Sequence, residues 1–178
     1  MDDERAMRRA MALAAGVRAV TTPNPWVGAV VESPDGRVFE GATAPAGGPH
    51  AEATALTAAG EAARGATLWC TLEPCAHHGR TPPCADAVIA AGVRRVVVAL
   101  ADPDPLVAGR GLERLRRAGV EVVAGVGAGM VAEQLAPYLR HRTTGRPWVV
   151  LKLAASADGR TAAPDGSSRW LTGGEARA

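Results

Sequence analysis

Lysine is nearly missing from this chain of 178 residues: Lys152 stands alone, and the other 19 of its 20 basic residues are arginine. Aromatic residues are also scarce, four tryptophans with Tyr138 and Phe39, too few for the stacked platform that holds single-stranded nucleic acid. No apolar run approaches the ~20 residues of a membrane span. The start, Met1-Asp2-Asp3-Glu4, is acidic and lacks the basic and apolar stretches of a signal peptide. Eighteen acidic residues nearly balance the basic ones, and a net charge of +2 offers no broad field for a polyanion. The expectation is a cytoplasmic protein with neither nucleic-acid nor membrane partners. Cysteine is limited to three residues. Without an export signal, that odd number favours metal binding or catalysis over disulfides.

What the chain does have is apolar material, 47% of residues against 21% charged, with 38 alanines. That composition suits a packed core, and the length suits one domain rather than two. Met7, Ala10, Met11 and Ala14 keep the i, i+3, i+4, i+7 spacing of a one-faced helix over residues 3–15, with Gly16 as its cap. Residues 21–25, Thr-Thr-Pro-Asn-Pro, read as a loop. Strands are expected at 27–32 and 37–40 around a Pro34-Asp35-Gly36 turn. A helix follows over 50–63, a strand over 67–72, and a helix over 84–91. Val96 to Leu100 is continuously apolar, as in a buried parallel strand. A helix at 111–118, a strand at 120–123 and a helix at 128–140 complete the alternation. The pattern is α/β, layered around one sheet. After a linker at 144–147, Trp148 to Ala154 reads as the first strand of something further, followed by a polar stretch to Ala178.

Three segments carry the chemistry. His50-Ala51-Glu52 opens a helix, Glu73-Pro74-Cys75 follows a strand, and Cys84 opens the next helix. One imidazole and two thiolates suit Zn²⁺ and leave a fourth position for water. Helix N-termini near His50 and Cys84 favour thiolates. Glu52 stands two residues after His50, too close to share its helical face as a ligand. It is placed instead to move protons between water, a ring nitrogen and departing ammonia. His-x-Glu followed by Pro-Cys is the signature of zinc deaminases. Cys70, inside a strand, reads as a buried structural thiol rather than a fourth ligand.

The run from Thr71 to Cys84, TLEPCAHHGRTPPC, resembles the deaminase domain of the bifunctional riboflavin-biosynthesis deaminase/reductase family. Eight residues separate Cys75 from Cys84, where most cytidine-deaminase-like proteins have two. The likeness extends to Pro23–Gly28, Gly48–Glu52, Ala101–Pro105 and Val107–Gly111. It implies a three-layer α/β/α cytidine-deaminase-like fold around one mixed sheet. It also implies a zinc-dependent deaminase domain over 1–145, and over 146–178 an incomplete N-terminal segment of an NADPH-dependent reductase domain. The implied reaction converts a diaminopyrimidinone bearing a phosphoribosylamino group to the aminouracil and ammonia. His50, Cys75 and Cys84 then ligate zinc and Glu52 is catalytic. Asn24 meets the pyrimidine edge with a donor and an acceptor. His77, His78 and Arg80 meet the substrate, with Arg80 on its phosphate. In the tail, Ala154 and Trp170 correspond to NADPH contacts and Ser168 to a substrate contact. No reductase activity is expected from so short a segment, and a homo-oligomer, dimer or larger, is implied. Thr43 and Pro45 depart from the family's His and basic residue, and Ala136 from its Asn. Thr43 and Pro45 keep open a same-fold deaminase of a guanine- or pteridine-like ring, and the short reductase-like tail keeps open a silent zinc-stabilised partner of a separate reductase.

Overall fold

Two strands sit where their apolar runs demand: β3 (Thr67–Leu72) and β4 (Arg95–Leu100) pair in parallel at the middle of a five-stranded sheet. The structure, a computed structural model, describes residues 1–77, 82–105, 107–170 and 172–177. It divides into two units, Met1–Pro147 and Trp148–Ala178.

In the first unit β1 (Gly28–Glu32) pairs antiparallel with both β2 (Val38–Ala42) and β3, while β5 (Glu121–Ala124) pairs in parallel with β4. The order is β2-β1-β3-β4-β5, a mixed sheet. Helix α1 (Asp3–Val17) packs on one face with α5 (Ala128–Gln134). Helix α2 (Ala51–Ala59), continued by a 3-10 turn at Gly60–Ala63, packs on the other beside α3 (Cys84–Ala90) and α4 (Arg110–Arg117). Helix α6 (Ala136–Thr144) follows α5. The fold is α/β with helices on both faces, as the spacing predicts.

Each face seats its helix closely. A Cβ on Gly28 would lie 1.8 Å from the carbonyl oxygen of Ala10 in α1, and one on Gly41 would lie 2.2 Å from that of Ala51 in α2. Between the layers Val96, Val97 and Val98 are fully buried, each stabilising the fold by roughly 1.5–3 kcal/mol. Polar ties lock the layers. Trp69 Nε1 donates to Asp3 Oδ1 at 2.9 Å, and Arg95 donates to both Asp3 oxygens at 2.7 and 2.8 Å. One carboxylate thus joins α1 to β3 and β4.

Most expected elements shift by a residue or two at their ends, and two depart further. Helix α1 runs one residue past Gly16, to Val17. The expected helix over 128–140 is two helices, because Pro137 at the second position of α6 cannot supply the amide to continue α5. The expected strand over 148–154 is absent. Strands persist through pairing, and no described segment pairs with it, so Val149, Val150 and Leu151 are 81%, 74% and 77% exposed. The second unit instead consists of turns at Ser156–Arg160 and Ala163–Ser167, with a short helix α7 (Gly174–Arg177). Among the described residues no helix is long and apolar enough to cross a membrane.

Candidate metal centre and active site

The chain reverses at the carboxyl ends of β3 and β4, where open α/β sheets place their ligands. His50 precedes α2 in extended conformation (φ −75°, ψ 165°) as its cap residue. Cys75 lies three residues beyond the end of β3, and Cys84 is the first residue of α3. The three converge. His50 Nδ1 is 3.3 Å from Cys84 Sγ and 3.6 Å from Cys75 Sγ, and the three candidate ligand atoms all lie within 4.8 Å of one another. The Cys84 main-chain N–H donates to Cys75 Sγ at 3.3 Å, as expected where a helix N-terminus favours an anionic sulfur.

These contacts set the protonation. The Cys75 thiol is pulled down to about 4, first by a hydrogen bond from Cys84, then by His50 and the Cys84 amide. Cys84 is pushed up by holding that proton against Cys75 and by burial. His50 is raised, chiefly by its bond to Cys75. One nitrogen and two sulfurs thus bound a single small space. That donor set fits zinc, which takes imidazole and thiolate together. Cys70 stays apart from this group, fully buried with Sγ 4.0 Å from the Val97 carbonyl.

A cavity of about 250 Å³ opens beside the trio. Glu52, in the first turn of α2 and 3% exposed, reaches it alongside His50 and Cys75. Burial pushes its carboxyl up to about 7, the range in which a carboxyl both gives and takes protons at neutral pH. Asn24 and His77 line the same cavity. His77 Nδ1 is buried without a hydrogen-bond partner among the described residues, a polar atom available to a ligand. Thr43 also lines the wall, but its hydroxyl is spent on Val27: Oγ1 accepts from the Val27 amide at 3.1 Å and donates to the Val27 carbonyl at 3.4 Å. His78 and Arg80 lie outside the described residues. Ser168 lines a small depression of the second unit with Ser156 and Arg160, while Ala154 and Trp170 are exposed there.

The opposite wall was not singled out by residue type. Asp102 and Asp104 come from the loop after β4, and Tyr138 and Arg142 from α6. The Tyr138 hydroxyl is 3.0 Å from both Asp102 oxygens, and Arg142 pairs with Asp104 at 3.3 Å. Burial raises Asp102, and burial beside Asp102 raises the Tyr138 phenol. The Asp102-Pro103-Asp104-Pro105 motif was one available signal; the single tyrosine carried none.

Comparison with known proteins gives a consistent result. The family model for the cytidine and deoxycytidylate deaminase zinc-binding region matches residues 1–100, and that for the RibD C-terminal domain matches residues 147–178. The chain is 52% identical over 177 residues to the riboflavin biosynthesis protein RibD of Escherichia coli strain K12, covering 99% of this chain and 48% of that protein. The structure of Acinetobacter baumannii RibD superposes with a TM-score of 0.91 at 49% identity, over 98% of this chain and 49% of that one. A Thermotoga maritima diaminohydroxyphosphoribosylaminopyrimidine deaminase/5-amino-6-(5-phosphoribosylamino)uracil reductase gives a TM-score of 0.87 at 42% identity, over 96% and 49%. The chain spans about half the length of the curated relatives it matches.

Proposed function

The chain belongs to the cytidine and deoxycytidylate deaminase family, and from that premise we propose that residues 1–145 are a zinc-dependent hydrolytic deaminase of riboflavin biosynthesis. The substrate is 2,5-diamino-6-(5-phosphoribosylamino)pyrimidin-4(3H)-one; water replaces its amino group, giving 5-amino-6-(5-phosphoribosylamino)uracil and ammonia. The observation that carries this reading is the meeting of His50, Cys75 and Cys84 beside buried Glu52 in one cavity. The identity to RibD proteins along nearly the whole chain supports the choice of substrate.

His50, Cys75 and Cys84 would hold the zinc, which supplies the Lewis acidity that makes water a nucleophile at neutral pH. Glu52 takes the proton from the attacking water, passes it to the ring nitrogen, and supplies the departing amine with the proton it needs. A carboxyl near 7 suits both directions of that traffic. Asn24 pairs with the pyrimidine edge, and His77 Nδ1 gains in the substrate the partner it lacks. His78 and Arg80 would meet the phosphoribosyl end, Arg80 by charge-assisted bonds. Residues 146–178 correspond to the opening of an NADPH-dependent reductase domain, with Ala154 and Trp170 toward NADPH and Ser168 toward its substrate. The match of residues 147–178 to the RibD C-terminal domain supports that assignment. The described residues of this segment form no enclosed cradle around exposed Ala154 and Trp170, so no hydride step is assigned to them.

Zinc-loaded protein should release one ammonia per substrate. Glu52→Gln should keep its zinc and lose about 10²- to 10⁴-fold in kcat; undiminished turnover in that variant sinks the mechanism. Thr43 favours a second reading, because it lines the cavity with its hydroxyl already bonded to the Val27 main chain, leaving that position without the basic or imidazole group the resemblance leads one to expect. A panel of phosphorylated and unphosphorylated diaminopyrimidine, guanine and pteridine compounds decides, since indifference to the phosphate supports another ring as substrate.

A further inference from the structure

Glu73 takes no part in the reaction as proposed, yet the residue is 4% exposed and its carboxylate accepts four main-chain hydrogen bonds. Oε2 receives the amides of Asp102 at 3.1 Å and Gly109 at 3.0 Å; Oε1 receives those of Gly111 at 2.9 Å and Leu112 at 3.3 Å. Glu73 lies two residues before Cys75, and its partners lie 29 to 39 residues onward. Gly111 and Leu112 belong to the first turn of α4, whose amides have no partner within the helix. A cap side chain normally satisfies them, but the cap residue here is Gly109, which has none. Glu73 does that work from the segment that follows β3.

The rest of the wall depends on the same carboxylate. The Asp102 amide is fixed by Glu73, and the Asp102 carboxylate accepts the Asp104 amide at 2.9 Å and the Tyr138 hydroxyl. Asp104 pairs with Arg142, which lies over the Tyr138 ring at 5.4 Å. Within the loop Ala108 holds a φ of 38°, a conformation that a residue with a side chain keeps only when its surroundings enforce it. One carboxylate therefore ties the cavity wall formed by Asp102, Asp104, Val107 and Tyr138 to the segment bearing Cys75.

We propose that Glu73 is a positioning residue for substrate affinity: it holds Asp102, Gly109 and the first turn of α4 at a fixed offset from the Cys75 segment. The proposal rests on the deaminase reading for its substrate, and on hydrogen bonds alone for its geometry. Glu73→Gln in the full chain keeps the shape but turns an NH₂ toward two main-chain donors. The expected result is zinc at the wild-type stoichiometry, kcat within about threefold, and KM for the diaminopyrimidinone raised about tenfold or more. Hydrogen exchange at Asp102, Gly109, Gly111 and Leu112 should quicken about tenfold or more, with the β3 and β4 amides unchanged. An unchanged KM, a loss confined to kcat, or unaltered exchange overturns the proposal. Should Glu73→Gln fail to fold, the wild-type protein still decides: loop-like rapid exchange at Gly109 and Gly111 refutes it. A wild type that releases no ammonia refutes the deaminase reading instead, while the exchange comparison continues to judge whether Glu73 holds the wall.

Discussion

Substituting Gly111 by alanine tests how tightly the segment bearing Cys75 is pressed against α4. A Cβ at position 111 would stand 1.9 Å from the carbonyl oxygen of Pro74 and 3.1 Å from its carbon, whereas ordinary contact begins at 3.4 Å. Both partners are main chain, so no side-chain rotation relieves the overlap. The gap must widen from 1.9 Å to about 3.4 Å by moving α4, Pro74 or both. Overpacking of this kind costs about 1–3 kcal/mol, which for a unit of this size lowers Tm by roughly 3–12 °C. Pro74 adjoins Cys75, so a shift of order 1 Å reaches a proposed zinc ligand, and displacements of that size cost about 10²-fold in rate. Gly16→Ala is the matched control. It lies inside α1 with nothing within 4 Å of its would-be Cβ, and the same added methyl should stabilise by about 0.5–1 kcal/mol. Thermal unfolding, zinc per chain and ammonia release read all three effects. If Gly111→Ala unfolds with the wild type and turns over at its rate, the close approach is not a constraint and the argument fails.

Two further outcomes follow from the Asp3 tie. Trp69→Phe keeps the ring in the core but removes the donor to Asp3, and urea unfolding should show a loss of about 0.5–1.5 kcal/mol; an unshifted midpoint would mean the bond contributes nothing. The Arg95 guanidinium bonded to Asp3 holds that carboxyl below its ordinary value. Its stabilisation is therefore present above the unfolded pKa of ~3.9 and is lost as pH falls through the lower folded value. Stability curves of wild type and Asp3→Asn should separate above about pH 4 and converge in stronger acid, by less than ~1 kcal/mol for so solvated a pair. A gap that widens on acidification contradicts the assignment.

The elements legible in the chain were those whose burial leaves a local pattern. β3 and β4 fall at the residues their apolar runs mark, because a strand covered on both faces writes its burial continuously into the sequence. The break between α5 and α6 was less visible. Val131, Leu135 and Tyr138 keep helical spacing across it, and only Pro137 interrupts the hydrogen bonding. Residues 148–154 carry a strand pattern and form no strand, because pairing is a property of two segments and one pattern describes only its own. The insertion of β1 between β2 and β3 is likewise a property of pairing, and no composition encodes it.

Within the site, two buried glutamates mark where sequence reading stops. Glu52 announced itself because its meaning is local: it stands two residues from His50, and a helix start fixes how both side chains lean toward one point. Glu73 sits in an equally recognisable motif, yet its partners are the amides of Asp102, Gly109, Gly111 and Leu112. An amide has no residue identity, so a carboxylate that serves amides leaves no complementary letter to find. Tyr138 and Arg142 were hidden for a related reason: they reach the cavity from α6, and only the folded path brings that helix beside the loop after β4. Imidazole and thiol groups are rare enough for their spacing to single out a candidate zinc set. The wall that would select among substrates is assembled largely from main-chain hydrogen bonds, and its specificity must be sought in geometry.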